Sequence, residues 1–205
     1  MGGGGGCEGV MGVMRALSRA RTAIGSVGLT YLAFVLIGII MVHSGSPFAI
    51  SYRDKVVSGA QASPTLKALD RNDRLQATLL DFGGNLLGAS STSLTGLGVI
   101  MPYPLIAYRG WVGGIVSIDG SHASRLADPP AAVYYVVTLV MQLIPYTLTG
   151  GAGVNLGLAL WRPRAYYQGK KWLGMPKEAV LDALRIWAVA VPLFLLASVW
   201  EFFMA

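Results

Sequence analysis

The chain has 205 residues, of which 54% are hydrophobic and only 13% charged, with a mean hydropathy of +0.56; soluble domains carry charges at about 25%, so the composition points to a membrane and excludes an ordinary soluble domain. One cysteine allows no internal disulfide, and two histidines leave almost nothing for a His-rich metal site. The formal charge of +6 raises nucleic acid as a partner, but most basic residues flank apolar segments, where they are a topology signal or a contact with anionic membrane lipid, so no nucleic acid is expected.

In chain order, residues 1–21 open with "MGGGGGCEGV" and read as a disordered Gly-rich, basic tail. Gly2 followed by Cys7 hints at dual acylation, yet the myristoylation pattern needs Ser or Thr at position six and finds Gly6. Residues 22–205 read as the membrane domain. About 20 apolar residues cross roughly 30 Å of hydrocarbon, and five candidate spans follow: 23–43, 75–101, 104–118, 131–160 and 183–204. The expected fold is therefore an all-α integral membrane bundle of about five transmembrane helices. Arg15, Arg19 and Arg21 precede the first span, and Arg162, Arg164, Lys170, Lys171, Lys177 and Arg185 lie around the last connection. Five crossings put both groups on one side, which sets the N-terminus in the cytoplasm and makes the chain a multi-pass protein of the cell membrane.

The extracytoplasmic segment 44–74 is expected to hold an interfacial helix, with Ser46 as its cap and Pro47 as its first residue. Phe48, Tyr52 and Val56 recur at spacing four and form one apolar stripe, with Arg53 and Lys55 off it. That stripe is either a docking surface for a membrane or extracytoplasmic protein partner or a cover for the bundle.

In the second span Asp81, Asn85, Gly88, Thr92 and Thr95 step by four and three and share one helix face. A carboxylate at this depth costs a few kcal/mol or more unless it faces the bundle, with His43, Arg74 or Gln142 as conceivable partners. Gly84 and Gly88 make a G-x-x-x-G pair that permits close helix contact. The face reads either as a proton- or ion-coupled conduit or as hydrogen-bonded packing. Packing is the preferred reading, because one acid without a second titrating group makes no relay.

The fourth span contains "QLIPYTLTGGAGVNLG", residues 142–157. Pro145 removes one helix hydrogen bond, and Gly150, Gly151, Gly153 and Gly157 remove side chains, so helix propensity is exchanged for close backbone packing. Asn155 sits among those glycines, placed to hydrogen-bond across the contact. The run lacks the G-K-[ST] ending of a phosphate loop and departs from G-x-G-x-x-G at Leu156. In the last connection, Pro176 is placed to start a helix leading into the final span.

The order of these features resembles the stage II sporulation protein M family: an anchor, an outer segment, "LLDFGGNLLGASSTSLTGLGVIMPYPLIAYRGWVGGIV", the glycine-rich fourth span, a basic loop and a final helix ending near "VWEFF". Asn85, Gly88, Gly96, Arg109 with Gly110, and Glu201 stand where that family places comparable residues, while Gln142 stands where many members have glutamate. The resemblance implies a polytopic membrane scaffold that anchors partner proteins, not an enzyme, with no cofactor. Catalysis finds no support in the residues themselves, since Ser121 and His122 are mere neighbours and no paired acids or H-E-x-x-H occur. The alternative is a transport component whose polar path uses Asp81, Asn85, Gln142 and Asn155 along a broken fourth helix; a unit of this size would then act as a homo-oligomer.

Overall fold

The computed structural model describes residues 5–162 and 164–203, with side chains from residue 9 onward. Gly2 lies outside the described residues, while Gly6 and Cys7 fall in the first turn of α1. The described chain is all-α apart from a two-residue antiparallel pair, Lys171–Trp172 with Met175–Pro176. Its helices are α1 (Gly5–His43), α2 (Pro47–Gln61), α3 (Pro64–Asp70), α4 (Arg74–Thr95), α5 (Pro102–Ile115), α6 (Pro129–Trp161) and α7 (Lys177–Phe203).

Helix α1 starts at Gly5, so the expected tail through residue 21 is, from residue 5 on, a helical extension of the first span. The reason is packing: Ala16 and Ala20 are fully buried against Ala152 and Ile186. The same stripe continues through Ala23, Val27, Tyr31 and Val35 at spacings of three and four and faces the bundle. The opposite face is apolar too, with Leu29, Leu32, Leu36 and Ile40 exposed. A helix apolar all round is suited to lipid on one side and protein on the other.

Three helices, α1 from Gly9 onward, α6 and α7, are long and apolar enough to cross a membrane. At 1.5 Å per residue α6 and α7 are about 50 and 40 Å long. Helix α4, about 33 Å, has the length but is too polar to qualify by hydropathy, and α5, with 14 residues, is only about 21 Å long. Helix α4 nevertheless runs the depth of the bundle. Ser198 near the end of α7 meets Asp81 in the second turn of α4, and Trp187 near the start of α7 donates from Nε1 to Ser93 Oγ at 3.2 Å near the end of α4. The following short 3-10 turn, Gly96–Gly98, lies at the last turns of α6, where Trp161 Nε1 donates to Leu97 O at 2.9 Å. Helix α5 then returns along α1.

Glycines set these approaches. A Cβ on Gly96 would lie 2.5 Å from Gly153 Cα and 2.7 Å from Gly153 O, and one on Gly114 would lie 2.9 Å from Gly38 Cα. Gly157 also meets the Gly96 backbone, and a Cβ on Gly151 would sit 2.6 Å from Ile24 Cα. Gly150 faces the Val27 side chain at 3.1 Å. The pair at 84 and 88 behaves differently. Gly84 has open space around it, and Gly88 makes room for the Arg109 guanidinium instead of a neighbouring backbone. Helix α6 also runs unbroken through Pro145, so the expected broken helix is corrected; Thr149 Oγ1 donates to Pro145 O at 2.9 Å.

The segment 44–74 forms two helices, and its inward face differs from the expected stripe. Pro47 opens α2, but the Ser46 side chain makes no cap. Ala49 and Arg53 are the buried residues. Arg53 was placed off the buried face by its charge; it turns inward because Nη2 donates to Ile118 O at 3.3 Å and Nη1 to Asp54 Oδ1 at 2.9 Å. Tyr52 covers α5, its ring centroid 4.9 Å from that of Trp111. Phe48 stacks on Trp111 at 5.7 Å yet stays 64% exposed.

Candidate functional site

Inside the bundle, polar groups from four helices form a directed chain. Ser198 Oγ (α7) donates to Asp81 Oδ2 (α4) at 2.7 Å, and Asn85 Nδ2, one turn along α4, donates to the same oxygen at 2.8 Å. Tyr146 Oη (α6) donates to Asn85 Oδ1 at 2.7 Å. The Arg109 guanidinium (α5) lies over the Tyr146 ring, 4.2 Å from its centroid. Every donor between Tyr146 and Asp81 points toward the carboxylate, the arrangement that stabilises a negative charge. Tyr146 is held edge-on by Phe194 at 4.9 Å.

A second acid stands beside this chain, on the wall of a shared cavity. Glu201, near the end of α7, accepts from Gln142 Nε2 at 3.4 Å, while its backbone carbonyl accepts from Tyr134 Oη at 3.0 Å. Asp81 and Glu201 line one cavity of about 310 Å³, together with Arg125, Tyr134, Tyr135 and Gln142. A further cavity of about 530 Å³ is lined by Asn85, Gly88, Thr92, Arg109, Tyr146 and others. Tyr31 and Gln142 belong to both walls. Gln142 Oε1 is buried without a hydrogen-bond partner, and Thr92 Oγ1 donates to Gly88 O at 2.9 Å.

Of the predicted path residues, Asp81, Asn85 and Gln142 therefore come together and Asn155 does not. Asn155 Nδ2 donates to Tyr167 Oη at 2.9 Å, and that hydroxyl donates to Asp182 Oδ2 at 3.0 Å. Asp182 is fully buried and paired with Arg19 at 3.2 Å and Arg185 at 3.0 Å. This is a clamp joining α1, α6, α7 and the 164–176 connection, separate from the chamber. Burial raises the Tyr167 phenol above its ordinary value, which keeps it a donor. Nor does Asp81 use the expected partners: His43 Nε2 bonds to Ser124 Oγ at 2.8 Å, and Gln142 bonds to Glu201.

Ser121 and His122 part company as well. Ser121 Oγ donates to Asp119 Oδ1 at 2.7 Å, and His122 Nε2 bonds to Asp54 Oδ2 at 3.0 Å. Among the described residues no group of three or more His, Cys, Asp or Glu is placed to hold a metal ion.

Sequence reasoning gave Ser198, Tyr31 and Tyr146 no polar role, and it met Arg109 and Glu201 only as family-like positions. One signal was available for Arg109. It is the sole Lys or Arg between residues 75 and 118, the stretch expected to hold the second and third spans, and a cation inside an expected span is a functional residue by default. Compared with protein-family models, curated proteins and solved structures, the chain has no match.

Proposed function

We propose that this chain is a non-enzymatic, multi-pass protein of the cytoplasmic membrane that acts as a transport component, with the chamber between α4, α5, α6 and α7 as its polar path. The observation that carries this reading is the pairing of Asp81 with Glu201 around one cavity. A single acid made no relay; two acids lining one cavity can share a proton across it. The N-terminus lies in the cytoplasm, because Arg15, Arg19, Arg21 and the basic residues of the 162–176 connection stand at one end of the bundle. Helices α4 and α5 go in and come back as a pair, so this orientation of α1, α6 and α7 holds whether the pair crosses fully or re-enters.

Reconstituted liposomes carrying an imposed pH gradient and a trapped pH-sensitive dye test the reading. Proton flux above protein-free vesicles, abolished by Asp81→Asn and by Glu201→Gln in proteins that still elute as folded species, supports it. Flux indifferent to both substitutions removes the coupling role of the acids.

The scaffold implied by the resemblance to stage II sporulation protein M keeps one supporting observation, the exposed Phe48 beside an apolar groove of Phe34, Ile37, Met41 and Trp111. Purification from the native membrane in mild detergent discriminates the two. A stoichiometric extracytoplasmic partner that is lost on joint substitution of Phe48, Tyr52 and Val56 supports the scaffold, whereas a homo-oligomer without partner supports transport.

A further inference from the structure

Arg109 is a guanidinium inside the bundle that makes no salt bridge among the described residues. It donates no hydrogen bond there either, and its guanidinium lies over the Tyr146 ring face. A cation at membrane depth is disfavoured unless an opposite charge or water meets it. The two acids of the chamber do not meet it, because Asp81 is held by Ser198 and Asn85, and Glu201 by Gln142. Arg109 instead fronts the cavity of about 530 Å³, within the range of small-molecule sites. A guanidinium is the side chain that takes a carboxylate through two parallel N–H···O bonds.

We infer that the Arg109 cavity binds a small carboxylate, held on the Arg109 guanidinium. This rests on the chamber being a solute site, as the transport reading has it, and names the solute class. Gly88 belongs to the site, since a methyl at that position would occupy the space of the guanidinium.

The test uses the full chain purified in mild detergent, titrated calorimetrically with L-lactate, L-alanine, propionate and 1,2-propanediol. Lactate, alanine and propionate are expected to bind and propanediol not at all, in line with the charge-assisted pair being the main contact. Arg109→Gln abolishes binding, and Arg109→Lys retains a weakened form. Should Arg109→Gln fail to fold, Gly88→Ala takes its place, because it keeps the charge but displaces it. The inference is overturned if neither lactate nor alanine binds the parent at about 10 mM. It is equally overturned if binding is unchanged in both Arg109→Gln and Gly88→Ala, or if only vesicles containing phosphatidylglycerol bind through Arg109. Proton flux in liposomes without any carboxylate binding sinks this inference and leaves the transport reading standing; binding without flux does the reverse.

Discussion

Ser198 and Asp81, 117 residues apart in sequence, meet through a 2.7 Å hydrogen bond that ties α7 to α4 inside the bundle. Asp81→Asn keeps an acceptor for Ser198 and is expected to leave the bundle folded while removing the charge. Ser198→Ala deletes the donor and is expected to lower stability by about 0.5–2 kcal/mol, the span measured for hydrogen bonds between membrane helices. Thermal unfolding in one detergent compares the two. A larger loss for Asp81→Asn than for Ser198→Ala would mean that the carboxylate is structural.

The glycines divide into those that touch a backbone and those that do not. Gly96→Ala and Gly153→Ala each push a methyl into the facing main chain, with Gly153 Cα 2.5 Å and Ser93 Cα 2.8 Å from the added carbons. Backbones cannot yield as side chains do, so about 1–3 kcal/mol or more is lost. Gly84→Ala meets nothing within 4 Å and gains up to about 1 kcal/mol of helix propensity. The fraction of each variant surviving a heat step and recovered as a single species measures the order: Gly84→Ala at or above the parent, Gly96→Ala and Gly153→Ala well below. Equal recovery of all three would contradict the packing described here.

The three apolar helices were legible in the sequence because a lipid-facing helix needs nothing beyond length and composition, and α1, α6 and α7 have both. The small-residue run in α6 was legible too, since Gly153 and Gly157 do meet facing backbone, whereas the same spacing at Gly84 and Gly88 marks no backbone contact. The polar groups were harder. Spacing put Asp81, Asn85 and Thr92 on one face of α4, but it could not say that Glu201 and Ser198, more than a hundred residues later, would complete it. Asn155 is polar like the chamber residues but lies about 2.5 turns along α6 from Tyr146, where the loop residue Tyr167 captures its amide. Arg53 shows the limit from the other direction: charge predicted solvent, and an unpaired loop carbonyl at Ile118 drew it inward.

Asp182 is a fully buried carboxylate with three donors, from Arg19, Arg185 and Tyr167. Asp182→Ala leaves those donors facing one another without an acceptor and is expected to cost about 3 kcal/mol, as when one partner of a buried ion pair is removed. Tyr167→Phe removes one neutral donor and is expected to cost about 1 kcal/mol. Hydrogen exchange should localise the damage to residues 9–22 and 164–182, leaving the chamber amides protected. Uniform loss of protection after Asp182→Ala would show that the clamp and the chamber unfold as one unit.

Acid should loosen the opposite end of the bundle first. Asp54 on α2 is exposed, and the hydrogen bond from Arg53, followed by the one to His122, holds its carboxyl below the usual carboxylate range. The folded value therefore lies under the unfolded one, so the contribution is complete above the ordinary carboxylate value of about 3.9. It is lost as pH falls through the lower folded value. Asp119, which accepts from the Ser121 hydroxyl and from the Ser121 and Ala123 amides, is lowered in the same direction and holds the 119–123 turn that carries His122. Exchange of the amides in α2 and in residues 116–128 is expected to stay constant from neutral pH down to about pH 4 and then to rise, after correction for the intrinsic rate. Asp54→Asn should raise exchange at neutral pH and flatten the acid limb that remains in α2. If the variant and the parent give superimposable profiles, the Asp54 contacts with Arg53 and His122 do not hold α2 to the bundle.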